Sequence, residues 1–228
     1  MKVFCIGFNK TGTTSMHGLF RGMGLRSYHG QYSILANAGD FNAPLFAQYD
    51  CFSDGEAHDF AALDRAFPGS KFILLTRSLE GWLLSRMKHI YIRRSKGKDG
   101  PMRREFESDP ERALQDWVRR RLEYHERVRE YFTGRPDDFR EVNICDRPDQ
   151  ERLAEELRAF LGIDSGGASR LPRNNVSRNR PPRTPRTLLR LLAGRKVRPD
   201  FRSDELKARV RQALQEVGIP EELWISDQ

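Results

Sequence analysis

Val3-Phe-Cys-Ile-Gly7-Phe-Asn9-Lys10-Thr11-Gly12-Thr13-Thr14-Ser15-Met16 is the stretch whose reading decides the fold. Its apolar start, stopped by a glycine turn, has the length and content of a strand buried on both faces. Beyond the turn, Met16, Leu19, Phe20 and Met23 recur at helical spacing until Gly24 ends the pattern. A strand, a glycine-bounded loop and a helix therefore open the chain. Outward from there the alternation continues. A helix over about 60–66 closes at Pro68-Gly69, and Lys71-Phe-Ile-Leu-Leu-Thr76 is a second all-apolar strand. Leu79, Leu83, Met87, Ile90 and Tyr91 mark the next helix, 96–101 a loop, and Leu114 through Phe132 a long amphipathic helix over 110–132. A third strand spans 139–145, a helix carries Leu153, Leu157, Phe160 and Leu161, and a last helix covers about 206–217. The stretch 26–60 shows no periodicity beyond a short strand over 49–52; together with 93–110 it is the expected source of a binding pocket.

This order predicts an α/β protein: a central parallel sheet with helices on both faces, in the three-layer manner of P-loop NTPases. The frame from Gly7 to Thr14 explains the comparison. It is that of the Walker A loop, G-x-x-x-x-G-K-[ST], except that Thr13 stands where the lysine belongs and Lys10 lies three residues earlier. Such a loop still turns backbone N–H groups and a helix N-terminus toward an anion. Only its cation has moved.

Composition sets the outer bounds. The 228 residues suffice for one sizeable core, and 38% hydrophobic with 32% charged residues is the balance of a soluble globular protein. No apolar run approaches the roughly 20 residues of a membrane helix, and the start is too short in apolar length for a signal peptide. Together with Cys5, Cys51 and Cys145, which are far apart and read as reduced, two of them in the core, these features point to the cytoplasm. The net charge of +8 is local: ten Lys and Arg and no Asp or Glu fall between 165 and 199. Such a segment suits nucleic acid, an anionic membrane surface or a phosphate-rich small ligand alike. It lacks interleaved aromatics, which argues against nucleic acid bound by stacking.

A second motif narrows the field. The strand ending at Thr76 runs into Arg77, and Ser85 follows eight positions later within FPGSKFILLTRSLEGWLLSR. Taken with Lys10-Thr-Gly-Thr-Thr-Ser15, this segment closely resembles the sulfotransferases that use 3′-phosphoadenosine 5′-phosphosulfate (PAPS) as donor. The likeness extends more loosely through FREVNIC and LPRNNVSRN, over about residues 1–180. It implies one sulfotransferase domain over 1–228, with 165–187 as a basic Pro/Gly-rich loop and 188–228 as a C-terminal helical extension. It further implies that Lys10 reaches the sulfuryl group and its bridging oxygen. Asn9, Thr11, Gly12, Thr13, Thr14 and Ser15 would hold the 5′-phosphate end, and Arg77, Ser85 and the later Arg178, with Arg180 beside it, the 3′-phosphate. PAP would be the product, no metal is expected, and the start of the helix at Ser78 would add a favourable dipole.

Transfer to a hydroxyl or amine needs a base near the acceptor atom. Asp54, in Tyr49-Asp-Cys-Phe-Ser-Asp54, is the candidate, with Glu56, His58 and His29 as rivals. His17, His89 and His125 read as packing or surface residues, and Trp82 and Trp117 as core, although either ring would also suit an adenine. The competing readings are a small-molecule P-loop kinase, which would want lysine at position 13 and a magnesium carboxylate, and an anionic-surface or nucleic-acid binding module built on 165–199. The acceptor is expected to be a small molecule or a glycan.

Overall fold

In a computed structural model, residues 1–95, 100–146, 149–163 and 204–225 are described. In chain order they form β1 (Val3–Gly7), α1 (Thr13–Gly22), β2 (Ser27–His29), α2 (Ser33–Asn37), α3 (Pro44–Gln48), β3 (Cys51–Ser53), α4 (Phe60–Ala66) and β4 (Lys71–Thr76). Then come α5 (Leu79–Ser95), α6 (Pro101–Ser108), α7 (Pro110–Tyr131), β5 (Phe139–Asn143), α8 (Gln150–Leu161), α9 (Asp204–Glu216) and α10 (Glu222–Ile225). The five strands make one parallel sheet in the order β2-β3-β1-β4-β5.

Period-two alternation splits the strands' side chains between two cores. Phe4 and Ile6 of β1 and Phe72 and Leu74 of β4 join Trp82, Leu83, Trp117, Val118 and Val128 of α5 and α7 on one face. Val3, Cys5, Ile73 and Leu75 meet Met16, Leu19 and Phe20 of α1 and Leu153 and Leu157 of α8 on the other. The result is three layers. The described C-terminal helices belong to the first face: Val210, Ala213 and Leu214 of α9 and Trp224 of α10 are buried there, and Arg211 reaches Glu80 of α5 at 2.9 Å.

The sheet order has a direct consequence for the site. β1 and β4 are neighbours, but α1 leads from β1 to the β2 side while α5 leads from β4 toward β5. A crevice opens at the carboxyl ends of strands whose connections diverge in this way. Both loops singled out in the sequence, the one after Gly7 and the one after Thr76, begin at that crevice.

Three features depart from the sequence reading. The stretch 26–60 holds β2, α2 and α3. β2 is a three-residue edge strand, Ser-Tyr-His, with no apolar run to reveal it; the Arg26–Asp50 ion pair at 2.7 Å fastens its start to β3. α6 begins at Pro101 inside the expected loop, with proline in the first turn where its missing N–H leaves no bond unmade. β5 stops at Asn143, two residues early, because the Asn143 side-chain oxygen accepts from the N–H groups of Cys145 and Asp146, both at 3.1 Å, and turns the chain away. The basic loop 165–187 lies outside the described residues.

Phe4 anchors the first core. It is fully buried and meets Tyr32, Phe46, Phe52, Phe67 and Phe72 at centroid separations of 5.2–6.4 Å. Phe4→Ala is expected to lower unfolding free energy by about 3–5 kcal/mol, read from urea unfolding, because five rings cannot close together on the void. A loss under about 1 kcal/mol would show that this cluster is not what holds the sheet to its helices.

Candidate active site

The loop between β1 and α1 is shaped by positive φ angles at Gly7 (114°), Lys10 (70°) and Gly12 (96°). Gly12 admits no side chain, since a Cβ there would stand 2.3 Å from Ile144 Cδ1, just beyond β5. The Thr11 hydroxyl is buried and donates to the Phe8 carbonyl at 2.7 Å, which holds the turn and leaves Thr11 only its backbone N–H to offer a ligand. The Ser15 N–H already donates to the Gly12 carbonyl at 2.8 Å, so Ser15 can contribute its hydroxyl. Asp59, Asp109 and Asp149 cap α4, α7 and α8, whereas among the described residues α1, like α2, α3 and α6, has no side-chain cap, its N-cap being Gly12. The start of α1 is thus left facing the crevice.

The second motif locks onto this loop. Arg77 Nη1 donates to the Lys10 carbonyl at 3.1 Å, and Trp82 Nε1 donates to the Asn9 carbonyl at 3.0 Å. Turning these two carbonyls away is what a loop must do to present its N–H groups inward. Arg77 lies along the first turn of α5: a Cβ on Gly81 would come within 3.1 Å of Arg77 Nε and 2.8 Å of Ser78 Oγ. Gly81 therefore leaves room for the Arg77 side chain, a role the reading of the sequence passed over; its only signal was a glycine inside a helical pattern. Half-buried Ser85 stands one turn beyond Gly81 on the same face. Arg77 Nε is buried and, among the described residues, has no hydrogen-bond partner. An orphaned guanidinium nitrogen beside an uncapped helix start fits a polyanionic nucleotide. At the α5 start one N–H is already committed. The Ser78 N–H is taken by the Asp146 carboxylate at 2.8 Å, which is itself held by Asn143 at 2.9 Å.

The candidate bases are sorted by their surroundings. Asp54 follows β3, half-buried with φ 84°, and accepts a long 3.4 Å bond from the Thr13 hydroxyl. His29, at the end of β2, accepts from the Thr14 hydroxyl through Nε2 at 3.2 Å. Its tautomer follows from Ser53, which donates to the Tyr28 carbonyl at 3.3 Å and so accepts the His29 Nδ1–H at 3.2 Å. Glu56 is engaged by Arg86 at 2.6 Å. His58 is buried against Tyr32, with ring centroids 4.4 Å apart, and donates Nε2–H to the Asp54 carbonyl at 3.1 Å, a bond that supports the strained Asp54 backbone. Burial pushes its pKa from the ordinary 6.5 down to about 4, partly opposed by that bond. His17 stacks on His29 at 5.4 Å and donates or accepts at Ser27 Oγ, 2.9 Å away; burial first, then the charges of His29 and Arg21, lower its pKa. Loop and base candidates thus meet through Thr13 with Asp54 and Thr14 with His29. Trp82 and Trp117 are core residues with no open ring face. Arg178 and Arg180 fall outside the described residues.

The parallel sheet, its flanking helices and the loop after β1 together define an α/β protein of P-loop-like fold. Residues 2–178 match the model of the family described as Sulfotransferase domain. The chain belongs to that family and is a transferase of the sulfotransferase kind. No curated protein matches it. Among solved structures, the crystal structure of a sulfotransferase from Alicyclobacillus acidocaldarius superposes with a TM-score of 0.50 at 16% identity, covering 98% of each chain, a likeness of fold.

The His58 shift carries a pH consequence. A histidine whose pKa falls on folding contributes stability that is present above its unfolded value and lost as pH drops through 6.5 toward about 4. The loss amounts to about 3 kcal/mol for a shift of this size. His58→Gln, which keeps an N–H for the Asp54 carbonyl, should lose distinctly less stability between pH 7.5 and 4.5 than the wild-type chain when both are unfolded in urea. Identical losses would mean that His58 does not titrate on unfolding.

Proposed function

We propose that the chain transfers the sulfuryl group of PAPS to a hydroxyl or amine acceptor in line, without a metal and as a single domain in the cytoplasm. The observation that carries this reading is the joint between the two loops: Arg77, pinned to the Lys10 carbonyl, keeps a buried Nε that has no partner among the described residues, beside an α1 start whose N-cap, Gly12, has no side chain to cap it. A donor with phosphate at both its 3′ and 5′ positions matches those two features at once.

On this reading the N–H groups of Thr11, Gly12, Thr13 and Thr14 and the hydroxyl of Ser15 hold the 5′-phosphate end, with Asn9 setting the turn. Arg77 and Ser85 hold the 3′-phosphate, and Arg178 completes that site. When bound, PAPS supplies an activated sulfuryl group on a phosphate leaving group. Lys10 then places its ammonium where charge grows on the bridging oxygen, an electrostatic contribution made at the transition state rather than on the resting nucleotide. Asp54 takes the acceptor's proton. It is preferred to His29 because the His29 lone pair already receives the Thr14 hydroxyl, whereas among the described residues the Asp54 carboxylate holds only the long contact to Thr13. Its left-handed backbone is of the kind that costs about 1–3 kcal/mol and persists where function requires it. The stretch holding β2, α2 and α3, with α6, supplies the acceptor side, for a small molecule or glycan.

Two experiments test the reading. Calorimetry should show PAP bound at least about 100-fold more tightly than ATP in the presence of EDTA, since ATP lacks the 3′-phosphate that Arg77 would meet. Preference for magnesium-ATP would replace the reading with a kinase. Labelled-sulfate transfer from PAPS into a small-molecule extract, with the product identified, then names the acceptor.

With that acceptor, Lys10→Ala is expected to lower kcat by about 10²- to 10³-fold while PAP affinity stays within a few-fold. Asp54→Asn should lower kcat with donor binding intact. Unchanged turnover in the first would remove Lys10 from the chemistry, and in the second would pass the base role to His29.

A further inference from the structure

Arg86 lies beneath the joint of the two loops, 3% exposed, one residue beyond Ser85 on α5. Its guanidinium is packed between two indoles, 4.9 Å from the Trp82 centroid and 4.5 Å from that of Trp117. Its Nη1 gives one proton to Glu56 Oε1 at 2.6 Å and the other to Asn9 Oδ1 at 3.4 Å. Asn9 is thereby held twice from α5, at its side chain by Arg86 and at its carbonyl by Trp82. Glu56 belongs to the acceptor-side loop after β3, and Asn9 to the phosphate loop. One buried side chain bridges both.

Stability does not explain such a residue. Burial lowers the Arg86 pKa, the Glu56 charge only partly opposing it, which marks a cation held where charge is disfavoured. A slot between two tryptophans accepts an apolar side chain of similar volume, and buried ion pairs replaced in that way commonly leave proteins as stable or more so. Backbone strain points instead to alignment. Among the described residues, the non-glycine residues with positive φ are Lys10, Asp54 and Ala57, all on the two bridged loops. A loop strained at Asp54 and Ala57 relaxes unless fastened. Its fastenings to neighbouring elements include the Ala57 N–H on the Gly7 carbonyl at 2.9 Å and Glu56 on Arg86.

We propose that Arg86 is a positioning residue: through Glu56 and Asn9 it holds the acceptor-side loop and the phosphate loop in one frame, so that Asp54 and Lys10 stay aligned across the atoms that react. This rests on the sulfuryl-transfer reading for its effect on rate, but not for its effect on the loops. Glu56 thereby acts on Arg86 and takes no proton from the acceptor.

The test uses the full chain with Arg86→Met and Glu56→Leu together, which removes both charges at near-constant volume, and Glu56→Gln, which keeps an oxygen on the guanidinium. The double variant should melt no lower than about 3 °C below wild type, exchange its amide hydrogens faster over 9–14 and 54–57 without ligand, and form PAP from PAPS about 10²-fold more slowly, the size expected of an ångström-scale misplacement. Glu56→Gln should keep the wild-type pH profile of PAP formation, since no titrating group has left the reaction. A folded double variant with unchanged loop exchange and unchanged rate would overturn the proposal. So would loss of the acidic limb in Glu56→Gln, which would make Glu56 the base. If the wild-type chain forms no PAP at all, the sulfuryl-transfer reading fails, and loop exchange alone still decides whether Arg86 fastens the two loops.

Discussion

The bond from Arg77 to the Lys10 carbonyl, paired with that from Trp82 to the Asn9 carbonyl, is the constraint on which the rest of the site depends. A peptide unit cannot point its N–H into a cradle without pointing its neighbours' C=O away, and a buried carbonyl turned away must find a donor. Here the donors come from the element after β4. The parallel order places β4 directly beside β1, with Gly7 in register with Leu75, so the two loops are set next to each other before any side chain acts. Sheet topology, loop shape and the orphaned Arg77 Nε are consequences of one arrangement.

Charge in this arrangement is distributed by burial. Arg86 and Arg121 flank Trp82 at 4.9 and 4.8 Å, and the Arg121 guanidinium donates to the Arg77 carbonyl, so the floor beneath the loops is cationic. Glu56 answers Arg86, while Asp146 answers the α5 start. A low-dielectric floor with fixed cations strengthens the pull on an anion above it. It also acts on His125, whose pKa burial, then Arg121 and Arg129, lower well below its ordinary value.

The parts of this molecule that were legible in the sequence are those determined by local pattern. β1 and β4 are legible as apolar runs, α7 by its period, Gly7, Lys10 and Gly12 by spacing along the first loop, and Arg77 and Ser85 by the resemblance of their segment to the sulfotransferase family. What stayed hidden depends on partners far away in the chain. β2 has no apolar run, because an edge strand of Ser-Tyr-His is fixed by β3 and by the Arg26–Asp50 pair rather than by its own burial. Gly81 matters only because Arg77 folds over it, and Trp82 reads as plain core until its N–H is seen on Asn9. Glu56 and His58 entered as rival bases because a carboxylate and an imidazole near an acceptor site look alike in sequence. Their partners, Arg86 thirty residues on and the Asp54 carbonyl, separate them from that role.

On the proposed reading the two loops form one site for a nucleotide that carries phosphate at both its 3′ and 5′ positions. A crystal structure of the chain soaked with PAP tests this most directly. The expected result is the 5′-phosphate within hydrogen-bond distance of the N–H groups of Thr11 to Thr13, the 3′-phosphate on Arg77 and Ser85, and the Arg77–Lys10 bond retained. PAP seated elsewhere, or bound with Arg77 swung away from the Lys10 carbonyl, would contradict it.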